Sequence, residues 1–256
     1  MKFIVCIKQV PDVNAPLQIK DGQLIQDTDR MILNAYDASA VEESLVLTEK
    51  VGGDVEVVLI GEEKAKETLR KALAMGAAKG THIVTEGNKD FDSAAYAAIL
   101  SKFFEKTEYD FILCGKQSQD TDSGLTGSML AELLSLPYVS NAVGLEIENG
   151  NLIVKRQGDA GQEIIELTSP GLVTCSNDMN EPRIPSLKGI MQSKRKPVDT
   201  LSLENLGLNQ DSVRVKTIVE GYKEKPGRKP GQKFEGEPDE IARKVAHLLD
   251  EEANVL

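Results

Sequence analysis

Four short apolar runs, residues 2–8, 55–60, 82–85 and 109–114, recur along the first half of the chain, and amphipathic stretches separate them. Runs of this length read as strands buried on both faces, the kind found in parallel sheets covered by helices. The intervening stretches supply those helices. Asn34-Ala35-Tyr36-Asp37 leads into one with Ala38, Val41 and Leu45 on a face, ending near Gly52-Gly53. Residues 62–75 align Ala65, Leu69, Ala72 and Met75, with Gly76 just past the end, and residues 93–104 align Ala97, Leu100 and Phe104. Alternating strand and helix implies right-handed crossovers and one parallel sheet. The expected fold is therefore α/β: an open, mostly parallel sheet with helices on both faces, of the Rossmann-like nucleotide-binding type.

The fourth run ends in a polar, Gly-containing stretch, residues 113–129, before Leu130, Leu133 and Leu134 resume helical spacing. An open α/β sheet places its ligand at such a strand–helix turn. Asp122 or Ser123 is expected to cap the helix, leaving the N–H groups of Gly124, Leu125 and Thr126 to face a phosphate. The same residues also fit an ordinary capped connection, because no Gly-rich fingerprint completes itself here. Asp120 and Asp122 read as turn residues rather than a Mg²⁺ site, and no metal is expected.

Beyond Pro137 the period changes. Residues 143–147, 152–156 and 163–167 alternate apolar and polar side chains around Asn149-Gly150 and 158–161, as antiparallel hairpin strands at the sheet edge do. Residues 171–175 form a last buried strand. The segment 176–197 has little periodicity, and a structureless loop of that length is functional or disordered. Residues 198–237 offer little to a core, and 225–231 read as a linker. A final helix starts at Pro238 with Ile241, Val245 and Leu248 on one face, in need of a surface on its own domain or on a partner. The expected division is a nucleotide-binding domain, 1–197, followed by a C-terminal arm and helix, 198–256.

A net charge of −11 argues against a nucleic-acid partner. Two basic groups stand out, Lys188, Lys194, Arg195 and Lys196, then Lys223, Lys225, Arg228, Lys229 and Lys233; both read as solvated loops until a partner is named. Cys6, Cys114 and Cys175 lie at strand ends without metal-ligand spacing, as buried thiols in a reducing cytoplasm do. No apolar run reaches membrane-spanning length. Met1 to Ile7 lacks the features of a signal peptide and reads as the first strand. His82, in a strand, and His247, on the final helix, do not suggest a shared site. No nucleophile elbow, Cys/His dyad, Walker A loop or Gly-x-Gly-x-x-Gly turn is present. The sheet is expected to hold a nucleotide with no catalytic residues to transform it.

At this point the residues carry a likeness. Residues 5–12 (VCIKQVPD), 34–37 (NAYD) with 40–43 (AVEE), 70–77 (RKALAMGA), the 115–127 loop, the hairpin from Lys155-Arg156 to Glu163, and 180–183 (NEPR) through Leu187 and Ile190-Met191 occur in the order seen in the β subunit of electron-transfer flavoprotein. The chain resembles that family over most of its length.

The resemblance implies an obligate heterodimer with an α subunit that carries most of the FAD contacts. This chain would hold AMP structurally, and its C-terminal arm and helix would dock on the partner subunit. The pair would be an electron carrier rather than an enzyme, working between a flavin dehydrogenase, such as an acyl-CoA dehydrogenase, and a downstream acceptor such as a membrane quinone oxidoreductase. Family AMP contacts carried over by position are Cys6, Asn34, Ala35, Tyr36, Asp37, Ile60, Gly115, Lys116, Gln117, Asp120, Thr121, Asp122, Ser123, Gly124, Leu125 and Thr126. The segment around Leu187 resembles the recognition loop that inserts a Leu into the dehydrogenase; Ile184, Ile190, Lys194 and Arg195 complete this docking set. The alternative is that Leu187 packs on its own domain.

The chain departs from many relatives at Ala35, Gln157, Ala160 and the Gly124-Leu125 pair. Thr126-Gly127-Ser128-Met129 is closer to the AMP branch than to the electron-bifurcating branch, which binds a second FAD. A bifurcating-type subunit and an unrelated adenine-nucleotide-binding module are the alternatives.

Overall fold

The computed structural model describes residues 1–16, 18–25, 30–86, 91–209, 212–227 and 230–251. The strands are β1 (Lys2–Ile7), β2 (Gln9–Pro11), β3 (Gln18–Lys20), β4 (Gln23–Ile25), β5 (Met31–Leu33), β6 (Asp54–Gly61), β7 (Lys79–Val84), β8 (Phe111–Gly115), β9 (Tyr138–Glu148), β10 (Asn151–Gly158), β11 (Gly161–Leu167), β12 (Gly171–Cys175) and β13 (Val198–Ser202). The helices are α1 (Ala35–Val51), α2 (Lys66–Met75), α3 (Ser93–Phe104), α4 (Thr126–Leu133), α5 (Leu187–Ser193) and α6 (Pro238–Glu251).

A nine-stranded sheet runs β11-β10-β9-β12-β8-β1-β6-β7-β13. Every neighbouring pair from β9 to β13 is parallel, and β10 pairs antiparallel with both β9 and β11. The expected α/β class and edge hairpins are observed. Strand pleating sends alternate residues to opposite faces. Phe3, Val5, Val57, Leu59, Phe111 and Leu113 join one core with Val41 and Leu45 of α1 and Leu69 of α2. Ile4, Cys6, Val58, Ile60, Ile112 and Cys114 join the other with Leu100 of α3 and Leu130 of α4. Burial on both faces is why these runs are mostly apolar.

Three expectations are corrected. The domain does not stop at residue 197: β13 pairs with β7 through Val198↔Gly80 to Ser202↔Val84, and Leu206 and Val213 are buried in the second core. The compact unit runs from Met1 to Gly221. A five-residue edge strand with only Val198 and Leu201 apolar, one packed toward each core, carries too little period to stand out. After Pro11 the sequence has no strong period and reads as irregular, yet β2 pairs with β5 and β3 with β4 as small antiparallel ribbons. Nor is 176–197 structureless, because it contains α5.

The second unit runs from Tyr222. Its helix α6 begins at Pro238, as expected, and no residue of it is buried; Ile241, Val245 and Leu248 form the half-exposed stripe. Lys223, Lys225 and Lys233 are exposed, while Arg228 and Lys229 lie outside the described residues. Among the described residues no helix is long and apolar enough to cross a membrane.

Candidate functional site

From β1 the chain steps outward to β6 and β7, then returns to the other side of β1 as β8. The direction of winding reverses between β1 and β8, and a parallel sheet opens a crevice outside the C-terminal ends of its strands at such a point.

Asp37, on the first turn of α1, spans the two strand ends. One carboxylate oxygen accepts the Lys8 N–H at 2.7 Å and the other the Gly115 N–H at 3.0 Å. Burial pushes this carboxyl up to about 7, against the opposing pull of the Lys8, Asn34 and Gly115 hydrogen bonds. Only glycine fits at 115, because a Cβ there would collide with Asp37 Oδ1 and the Tyr36 Cβ.

Asn34, itself buried, locks the 116–123 loop to this turn. Its Nδ2 donates to the Gln117 carbonyl at 2.9 Å and its Oδ1 accepts the Gln119 N–H at 3.1 Å. Gln119 returns the contact by accepting the Ala35 N–H at 2.9 Å. Lys8, immediately past β1, reaches the loop from below: Nζ donates to Ser118 Oγ at 3.2 Å and to both Asp120 oxygens at 2.9 and 2.8 Å. Burial would push the Asp120 carboxyl up, but the Lys8 ammonium and the Ser118 hydroxyl outweigh it and hold the group below its ordinary value.

The expected cap on α4 is not made. The helix starts at Thr126 with Leu125 at its N-cap position, and no side chain bonds its first N–H groups. Asp122 instead accepts from Gln117 Nε2 at 3.0 Å, and Ser123 Oγ accepts from Thr121 at 3.0 Å. The positive φ of Asp122 (52°) turns the chain early, and Gly124-Leu125 then carry it beyond reach of either side chain. The helix entrance keeps its uncompensated positive end.

The fold thus gathers Cys6, Asn34–Asp37 and Gly115–Asp122 at the β1/β8 ends. Cys6 stands opposite Cys114 in the strand register; its hydrogen bond with Cys114 and its burial both raise the thiol, so it is inert. Ile60 is the last residue but one of β6, one strand over. Lys8 is a crevice residue that the sequence reading missed, although a lysine directly after a buried strand and an acid in the neighbouring strand's loop form a recognisable pair.

Residues 21–206 match the electron transfer flavoprotein domain family. The chain belongs to the electron transfer flavoprotein family. It is 36% identical over 259 aligned positions to a protein named electron transfer flavoprotein subunit beta from Bacillus subtilis (strain 168), covering 100% of both chains. It is 37% identical over 256 positions to the protein of the same name from Bradyrhizobium diazoefficiens, covering 98% of each. It is 36% identical over 215 positions to the caffeyl-CoA reductase-Etf complex subunit CarD of Acetobacterium woodii, covering 83% of this chain and 82% of that one.

The residues expected to dock a partner lie apart from the crevice, before, on and just after α5, which packs on α2. Leu187 is 82% exposed and Ile184 92%, and Ile190, Lys194 and Arg195 are exposed as well. Within this chain Leu187 is not a core residue. Lys196 departs from the solvated reading of its basic cluster, because its Nζ donates to the Leu73, Gly76 and Ala77 carbonyls at the end of α2. His82 is buried with Nε2 3.2 Å from the Gly61 carbonyl, and burial lowers its pKa. Among the described residues no group of three or more His, Cys, Asp or Glu is placed to hold a metal ion.

Proposed function

We propose that the chain is the β subunit of a heterodimeric electron-transfer flavoprotein that holds AMP in the β1/β8 crevice, while FAD is held mainly by the α subunit. The observation that carries this reading is the uncapped entrance of α4 beside a loop whose acids are already neutralised or occupied. Asp120 is paired with Lys8, Asp37 accepts two backbone N–H groups, and Asp122 accepts from Gln117. A dianionic phosphate therefore meets N–H groups at Gly124, Leu125 and Thr126 without facing a free carboxylate. Cys6 and Ile60 line the apolar strand ends where an adenine fits. AMP has no chemistry to perform here; bound FAD supplies the redox chemistry. This chain's residues bind, orient and close the crevice, so the protein is a carrier and no catalytic residue is assigned.

In the same reading, Leu187 with Ile184 and Ile190 anchors a flavin dehydrogenase, such as an acyl-CoA dehydrogenase, in the cytoplasm. Lys194 and Arg195 meet an acidic rim around its pocket, and electrons leave to an acceptor such as a membrane quinone oxidoreductase. The test is to co-purify the chain with its α subunit, denature the complex and identify the released nucleotides. One FAD and one AMP per heterodimer are expected. Two FAD would replace this reading with that of a bifurcating-type subunit.

A further inference from the structure

We infer that Arg183 and Lys196, one on each side of α5, together with Gly189 inside it, are positioning residues that hold the Leu187 face preformed for the dehydrogenase. The inference rests on the docking reading above. Upstream of α5, Arg183 Nε donates to Glu42 Oε2 at 2.8 Å, Nη2 to Glu42 Oε1 at 3.0 Å and Nη1 to Glu49 Oε1 at 2.6 Å. The Arg183 N–H adds a bond to Glu42 Oε2 at 3.0 Å, and Asn180 Nδ2 donates to Glu43 at 2.8 Å and to the Ser39 carbonyl at 3.1 Å. All four acceptors belong to α1. Downstream, Lys196 Nζ caps α2 through the carbonyls of Leu73, Gly76 and Ala77, and Arg70 Nη1 donates back to the Ser193 and Lys196 carbonyls. Between the two clamps, α5 lies so close to α2 that a Cβ on Gly189 would stand 2.6 Å from the Ala74 carbonyl oxygen.

A seven-residue helix is too short to persist alone. Nor does apolar burial account for this one, since its large apolar side chains, Leu187, Ile190 and Met191, are all exposed. Its order comes from the two clamps and from backbone contact at Gly189. An apolar anchor already ordered before encounter avoids the cost of ordering it on binding. The exposed rim of Lys188, Lys194 and Arg195 selects an occupant with an apolar pocket edged by acids, here the flavin dehydrogenase.

The test uses the αβ heterodimer, reduced by an acyl-CoA dehydrogenase and its substrate. Arg183→Lys keeps the charge but not the fork that spans Glu42 and Glu49. Gly189→Ala pushes α5 off α2. Each should raise KM for the flavoprotein about threefold to tenfold while kcat stays within about twofold. Leu187→Ala should lose most of its effect on KM in the Gly189→Ala background, whereas the two changes add in thermal midpoint. Unchanged KM in both variants, with Leu187→Ala still effective, would overturn the inference and spare the docking reading. Leu187→Ala without effect in the wild-type background would overturn both. If the Gly189→Ala complex does not assemble, Arg183→Lys decides by the same KM criterion.

Discussion

At the scale of the residue, Asp37 has the largest consequence. Its carboxyl stands at about 7 against an ordinary 3.8, chiefly through burial. Between those values the folded chain keeps a proton that the unfolded chain has lost. This group's contribution to stability is therefore fully present below the ordinary value and is lost as pH rises through about 7. The melting temperature of the complex should fall from about pH 4 to about pH 7 and level off above, and Asp37→Asn should remove that part of the slope. The same substitution sets an amide NH₂ against a backbone N–H at Lys8 or Gly115, at a cost of about 1–3 kcal/mol. Thermal melts across pH for both proteins check both statements, and parallel profiles would refute the first. Thr126 offers a second check at this scale. Its hydroxyl and N–H stand at the entrance of α4, so Thr126→Val should lower the AMP retained per complex while the flavin absorbance spectrum keeps its shape; nucleotide release on denaturation measures the first and spectroscopy the second.

At the scale of the element, α3 shows one acid serving two segments. Asp92 caps the helix by accepting the Ala95 N–H at 2.9 Å, and its other oxygen accepts the N–H groups of Lys216 and Thr217 at 2.7 and 2.9 Å. Burial works against the charged form, but these three N–H groups outweigh it and hold the carboxyl below its ordinary value. Asp92→Ala should cost about 1–2 kcal/mol as a lost N-cap. It should also free the chain near Lys216, which hydrogen exchange at residues 213–221 would report; a stability loss without faster exchange there would confine Asp92 to capping. Just past α5, reversing Lys194 and Arg195 to Glu should slow electron transfer from the dehydrogenase mainly at low ionic strength, because rim charges act on encounter and are screened by salt. A loss independent of salt would assign them to the anchor itself.

At the scale of the whole molecule, the two units differ in what they bury. The first holds two cores, one on each face of the sheet. The second has α6, whose apolar stripe of Ile241, Val245 and Leu248 is only half-covered, with Lys244 over the Phe234 ring at 4.8 Å as a local contact. A stripe of that kind needs a further surface. The chain expressed alone should be poorly soluble, and co-expression with the α subunit should give a yellow 1:1 complex; size-exclusion chromatography with light scattering distinguishes the two. A monodisperse chain that ignores the α subunit would contradict the heterodimer.

The sequence by itself determined the class of fold. Runs such as Phe3–Ile7, Val57–Ile60 and Phe111–Cys114 are apolar at every position, and only a sheet covered on both faces accepts that pattern. It also located the strand–helix turn at 115–126, because Gly and acidic residues interrupt two strong periods there. Tertiary structure decided what the polar residues do. Lys8 and Asp120 are 112 positions apart, Arg183 and Glu42 141 apart, and Lys196 reaches α2 across about as far. No local period records such pairs; they exist only after crossovers have brought distant segments together. The edge strand β13 was hidden for a related reason, since it pairs with β7 along its whole length but sends only Val198 and Leu201 toward the cores, one to each. The Asp122 cap failed on geometry, because two residues of turn moved the helix start beyond its reach.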